Sequence, residues 1–334
     1  MIHVFFVHSH TLFLTALGTV KYLNLNSKDV IFVFSRNYKS FIPVDFDCID
    51  LSKEIEDAFY IMLSWSRRNF VFSSKRRNKL VAFFDSFVNN KVKSDKFILY
   101  VPHLQHHVFQ VMATNPKCSK VYFIQEGGRT MLPLLTKKIS CFNRLYNSLI
   151  LQNDKRVWKC SNWFPSEKTP YCGEVSAYAI NHSFFNNVPQ NTYIVQWPSV
   201  SLNLKIDTRR PIFILEGAVE LGQISRKAYV NAVQSLINEF AEQQNYIKFH
   251  PMQSTKTKEM YLNIFLKKGY EISELPMDVP FELILVNYSN LKLYGFGTSL
   301  LFYGKAFGHQ VVSKEYLLKK SWRYRHYSRG LAEL

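Results

Sequence analysis

The segment KVYFIQEGG, residues 120–128, ends a short apolar run on an acid and two glycines. Lys120 to Ile124 has the Val, Tyr, Phe and Ile content of a parallel strand buried on both faces. Glu126 follows at the carboxyl end of that strand, the edge at which open α/β sheets bind ligands. Gly127 and Gly128 let the chain turn there and let a substrate approach the backbone.

The same grammar extends in both directions. Toward the N-terminus, Val4 to Val7 reads as a strand, His8 to Thr11 as a loop and Leu12 to Leu23 as a helix, followed by strands at Val30 to Phe34 and Phe97 to Val101. Residues 52–95 read as mainly helical and carry the basic cluster Arg67, Arg68, Lys75, Arg76, Arg77 and Lys79. A second alternating series starts with a strand at Pro211 to Leu215. It continues with a helix over Arg226 to Gln243, a strand at Tyr246 to Phe249, a helix over Tyr261 to Lys268, strands at Glu282 to Val286 and Lys292 to Tyr294, and a helix over Ser299 to Phe307. Strands separated by helices predict βαβ units. The expected fold is therefore α/β: two Rossmann-like domains, 1–182 and 211–313, joined by a linker over 183–210 with Pro189 and Pro198, and facing a central cleft. A basic, aromatic tail over 314–334 reads as an interfacial helix on acidic lipid, or as a helix packed back on the first domain.

Composition bounds the partners. The 334 residues carry 42 Lys and Arg against 25 Asp and Glu, a net charge of +17 that predicts attraction to something anionic. Cys48, Cys118, Cys141, Cys160 and Cys172 show no CxxC spacing, which predicts a reducing compartment and no structural zinc. The N-terminal MIHVFFVHSH lacks a basic leader and is broken by His8, Ser9 and His10, so it reads as strand and loop. No run approaches the roughly 18 apolar residues of a spanning helix.

Three islands carry chemistry. Glu126 offers a carboxylate able to accept a proton from a hydroxyl. His250, in the run Lys248-Phe249-His250-Pro251, offers an imidazole beside an ammonium, suited to a departing phosphate. Gly297-Thr298-Ser299 precedes a helical pattern and offers hydroxyls and amides at a helix N-terminus, an anion site. Each has an ordinary structural role when taken alone: turn acid, core histidine, Ser/Thr N-cap. His8, His10 and His103 stand in loops that border the expected cleft. His106 and His107 complete an HxxHH spacing with no acidic ligand nearby in sequence, which favours loop histidines over a metal site.

Together these islands resemble the bacterial GT-B sialyltransferases. Gln125-Glu126-Gly127 is similar to that group's D/E-D/E-G motif, His250-Pro251 to its HP motif and Thr298-Ser299 to its S-S/T motif, while Pro280-Phe281-Glu282-Leu283 is similar to its P-x-E-L stretch. In length and style the chain looks closest to glycosyltransferase family 52, which sialylates lipooligosaccharide and capsule; family 38 polysialyltransferases share the motifs. The resemblance implies inverting transfer of sialic acid from CMP-sialic acid to a glycan hydroxyl, with no metal or other cofactor. It implies Glu126 as base and His250 as donor to the phosphate. Lys248, Pro251, Glu282, Gly297, Thr298 and Ser299 would lie on the CMP side, and His8, His10, Gln125, Gly127 and His103 on the acceptor side. Gln125 and Thr298 depart from the pattern. The expected location is the bacterial cytoplasm, at the inner face of the inner membrane, with a glycolipid or oligosaccharide acceptor and no nucleic acid. Other CMP-linked nonulosonic acids or CMP-Kdo fit the same islands. A non-catalytic protein that binds anionic glycan or nucleic acid is the reading from a different class.

Overall fold

The computed structural model describes residues 1–43, 45–55, 74–127, 156, 164, 174–185, 189–329 and 331. These divide into two compact units, one ending at Trp197 and the other starting at Pro198, with Gly127 grouped with the second. Arg67 and Arg68 lie outside the described residues, as do Cys141, Cys160 and Cys172.

The first unit is built on a seven-stranded sheet, every pairing of which is parallel. Its strands are β1 (Ile2–Val7), β2 (Val30–Phe34), β3 (Asp47–Asp50), β4 (Phe97–Val101), β5 (Cys118–Ile124), β6 (Ser176–Ala179) and β7 (Asn191–Ile194), in the order β3-β2-β1-β4-β5-β6-β7. Helices α1 (His10–Tyr22), α2 (Ser74–Phe87) and α3 (His107–Ala113) belong to this unit. The alternation of side chains along each strand divides the apolar residues between two cores. Val4, Phe6, Val33, Leu99, Val101 and Phe123 face one. Phe5, Val7, Phe32, Tyr100, Ile124 and Tyr178 face the other, under Leu12, Phe13 and Ala16 of α1. All five residues of β2 are buried, as a strand covered on both faces requires.

The second unit holds a five-stranded sheet, again parallel in every pairing: β8 (Pro211–Ile214), β9 (Gln244–Lys248), β10 (Glu271–Glu274), β11 (Lys292–Gly295) and β12 (Gln310–Ser313), ordered β10-β9-β8-β11-β12. Its helices are α4 (Arg226–Phe240), α5 (Thr255–Leu266), α6 (Phe281–Asn287), α7 (Ser299–Ala306), α8 (Glu315–Leu318) and α9 (Trp322–Tyr327). Both expected Rossmann-like units are thus present. In each, the strand order reverses beside the first strand of the unit, between β1 and β4 and between β8 and β11.

Two expectations are corrected. Glu282 to Val286 is not a strand but lies in α6, since Pro280 stands at its N-cap and Glu282 in its first turn. A short apolar run has no period that separates strand from helix. The stretch 183–210 is not all linker: β7 lies within it and pairs with β6, and the units divide at Trp197. The tail from Lys314 contributes to the core of the second unit. Leu318 and Tyr324 are fully buried in the second unit's core, with Tyr229 and Phe296.

Candidate functional sites at the two switch points

In the first unit, chemistry gathers at the carboxyl ends of β1, β2, β4 and β5. His8 follows β1 directly, and Ser9 then caps α1 by accepting from the Leu12 N–H. Glu126 follows β5 by two residues, and its carboxylate accepts a hydrogen bond from His8 Nε2. His103 follows β4, and its Nε2 lies 3.8 Å from the second Glu126 oxygen. His103 Nδ1 accepts from the Gln105 N–H at 3.3 Å, so the neutral ring carries its proton on Nε2, toward Glu126.

Burial alone would raise the Glu126 pKa. The His8 ring, by charge and hydrogen bond, then His103 and Arg36, outweigh it and bring the carboxyl down to about 2. Burial is also the main influence on His103; its pKa falls to about 4 despite the Glu126 charge. The result is an ionised carboxylate, one quarter exposed, between two imidazoles of which His103 is neutral at pH 7.

The remaining acceptor-side candidates divide. Gln125 is buried, and its side-chain oxygen accepts from the Ile180 N–H at 2.9 Å while its own N–H donates to the Tyr178 carbonyl. It extends the β5–β6 pairing past the strand. His10 opens α1 and meets the Tyr38 hydroxyl through Nδ1 at 3.3 Å. Gly127 has φ of +76°, a conformation that favours glycine. His106 caps α3 through Nδ1, and no group of three His, Cys, Asp or Glu suited to a metal occurs among the described residues. Arg36 was not foreseen. It follows β2 with φ of +56° and acts on both Glu126 and His103 by charge; its only sequence signal is its place just past a strand.

In the second unit, His250 follows β9 and Gly297 follows β11, with β8 between those strands. The His250 ring accepts the Met252 N–H on Nδ1 at 3.2 Å, which leaves Nε2 as the donor of the neutral ring. Burial lowers its pKa, against the raising effect of Glu220. Pro251, next in the turn, is exposed. Thr298 is the N-cap of α7, accepting from the Leu300 N–H at 3.4 Å, and Ser299 opens the helix. The Gly297 amide is not open to a phosphate: it donates to Glu216 Oε1 at 2.8 Å.

Lys248 also differs from expectation. It is buried, and its ammonium donates to the Pro276 carbonyl at 2.8 Å and the Val279 carbonyl at 3.4 Å. It ties down the loop that leads into α6, and so to Glu282. Burial lowers its pKa against the pull of Glu282, Glu274 and Asp278.

Glu216, Gly217 and Gln253 were missed by sequence reasoning. A signal existed: F-I-L-E-G at 213–217 repeats F-I-Q-E-G at 123–127, with the acid in the same place after a strand.

No protein-family model matches the sequence, and no curated protein matches it. Solved structures that share its course include a UDP-GlcNAc 2-epimerase from Methanocaldococcus jannaschii, 11% identical with a TM-score of 0.45 over 96% of this chain and 91% of that one. Another is a putative UDP-N-acetylglucosamine 2-epimerase from Listeria monocytogenes, 9% identical with a TM-score of 0.49 over 98% and 89%. A spinosyn rhamnosyltransferase complexed with thymidine diphosphate is 12% identical, with a TM-score of 0.49 over 99% and 84%. Identities and TM-scores this low carry no information on substrate.

Proposed function

We propose that this chain is an inverting, GT-B-type glycosyltransferase that moves sialic acid from CMP-sialic acid to a hydroxyl of a bacterial surface glycan. The observation that carries the reading is the ionised Glu126 carboxylate held by His8 at the switch point of the first sheet. In the transfer the anomeric carbon forms a bond to the acceptor oxygen and loses its bond to the CMP phosphate, which keeps the electron pair. The acceptor proton passes to Glu126. A carboxylate of low pKa suffices, because an oxygen bonding to an oxocarbenium-like carbon is itself strongly acidic.

The second unit supplies the groups for the leaving phosphate. His250 Nε2–H donates to it, and Ser299 with the Thr298 and Ser299 amides binds it at the α7 N-terminus, where negative charge is favoured. Among the described residues those two amides donate to nothing. Glu282, in the first turn of α6, holds the ribose, and Lys248 fixes the loop before it. No cofactor enters this scheme. The acceptor is a lipooligosaccharide or capsule glycan, met at the inner face of the inner membrane.

Incubation with CMP-N-acetylneuraminic acid and a panel of galactosides and sialosides should release CMP with sugar transfer. Glu126→Gln should lower turnover at least ~10²-fold, the usual worth of a general base, with an unchanged circular dichroism spectrum. Near-normal transfer by that folded variant would remove the base. Transfer only from another CMP-linked nonulosonic acid or CMP-Kdo would keep the mechanism and change the donor.

A further inference from the structure

We infer that Glu216 and Gly217 form a positioning pair that sets His250 and the turn at 297–299 relative to one another. The inference rests on the donor-side reading above and extends it to residues outside the three islands.

Glu216 follows β8, the central strand of the second sheet, and stands between the two islands it serves. Its carboxylate accepts the Gly297 N–H at 2.8 Å and so pins the turn before α7. Its carbonyl accepts from Gln253 Nε2 at 3.3 Å. The oxygen of that same Gln253 amide accepts the His250 N–H at 2.8 Å, and the Gln253 N–H closes the turn onto the His250 carbonyl at 3.0 Å. One residue thereby reaches both islands, to one through its side chain and to the other through its backbone. Its own N–H donates at 2.9 Å to the hydroxyl of Tyr229, a fully buried residue, which fixes Glu216 from beneath.

Gly217 places the imidazole. A Cβ built on it would lie 2.9 Å from His250 Nδ1 and 3.2 Å from Cγ. The ring thus packs on the glycine Cα, where a larger residue would displace it. Gly217 has no positive φ in this structure, so its requirement is space and not backbone conformation. The yielding group is a half-buried side chain and not backbone, so Gly217→Ala should fold with little loss of stability and still move His250.

These contacts predict a pattern of rates. Gly217→Ala should lower kcat for CMP-N-acetylneuraminic acid by about the factor that His250→Ala does. The double variant should be no worse than His250→Ala alone, since coupled groups fail to add. Glu216→Ala should raise the donor KM about tenfold or more. Glu216→Gln should recover most of that loss, because an amide oxygen still accepts the Gly297 N–H. A role resting on the negative charge alone would leave Glu216→Gln as poor as Glu216→Ala, and tighter donor binding in either variant would show that the carboxylate competes with phosphate; each result overturns the assignment.

The His250 Cε1–H signal in NMR spectra of the full chain gives a readout that needs no turnover. It should shift in Gly217→Ala and stay in place in Gly18→Ala, a change in the other unit. No CMP release by the wild-type chain, with the His250 signal still moved, would fail the donor reading and keep the positioning pair. An unmoved signal in Gly217→Ala would overturn the pair whatever the substrate.

Discussion

At Glu126 burial and charge oppose one another, and charge wins. Burial favours the neutral acid, but His8, by charge and hydrogen bond, and then His103 and Arg36, by charge as the pH falls, bring the carboxyl down to about 2. A folded-state pKa below the ordinary 4.5 contributes stability that is complete above that value and is lost as pH falls through about 2. Denaturation midpoints measured from about pH 5 downward should therefore fall more steeply for the wild type than for Glu126→Gln, whose side chain does not titrate. Equal slopes would show that the carboxyl titrates normally. Glu126 itself was legible as an acid after a strand, but what sets its charge was not. His8 is 118 residues away in sequence, and Arg36 reaches the site only because β2 lies beside β1.

Helix α1 shows how close packing is written in small residues. Thr15 donates to the Thr11 carbonyl, Thr19 donates to the Thr15 carbonyl, and the Trp197 indole donates to the Thr15 hydroxyl at 3.0 Å. On the same helix Gly18 meets the chain at 195–197: a Cβ there would lie 2.6 Å from the Gln196 carbonyl oxygen. Backbone cannot yield as a side chain can, so Gly18→Ala should destabilise the protein by about 1–3 kcal/mol, the usual cost of overpacking. Thermal melts would read this as a lower midpoint, and an unchanged midpoint would mean that the helix slides to make room. The element itself was legible from its apolar spacing, its contact with the segment before Pro198 was not. The reverse holds for α6, whose buried Phe281, Leu283, Ile284 and Leu285 fit either type of element until Pro280 is seen at the N-cap.

Over the whole molecule the excess of +17 favours attraction to anionic surfaces. The tail offers a surface of the right character. Leu318 and Tyr324 anchor it in the second unit's core, while Tyr316, Trp322 and Tyr327 remain 55%, 68% and 47% exposed. Lys320, Arg323 and Arg325 stand exposed among them. No described helix is long and apolar enough to cross a membrane. Binding to vesicles with acidic lipid should weaken as salt rises, since screening shortens the reach of each charge. Reversing Lys320, Arg323 and Arg325 to Glu should abolish that binding without lowering the melting midpoint by more than a degree or two, because these side chains are on the surface. Salt-insensitive binding, or binding retained by the reversed variant, would place the contact elsewhere.

Local chemistry was enough to mark out parallel strands, most helices and the acid, imidazole and hydroxyls that follow them, because a buried strand and a capped helix each need particular residues within a few positions. It was enough, too, to foresee two α/β units. The partners of those groups came from folding alone. A parallel sheet puts residues from distant segments at one edge, so the hydrogen bond from His8 to Glu126, the Gly297 amide on Glu216 and the His250 ring on Gly217 depend on strand order, which no local window contains. For the same reason Lys248 read as a site cation and proved to be a loop anchor: its acceptors, Pro276 and Val279, are about 30 positions onward.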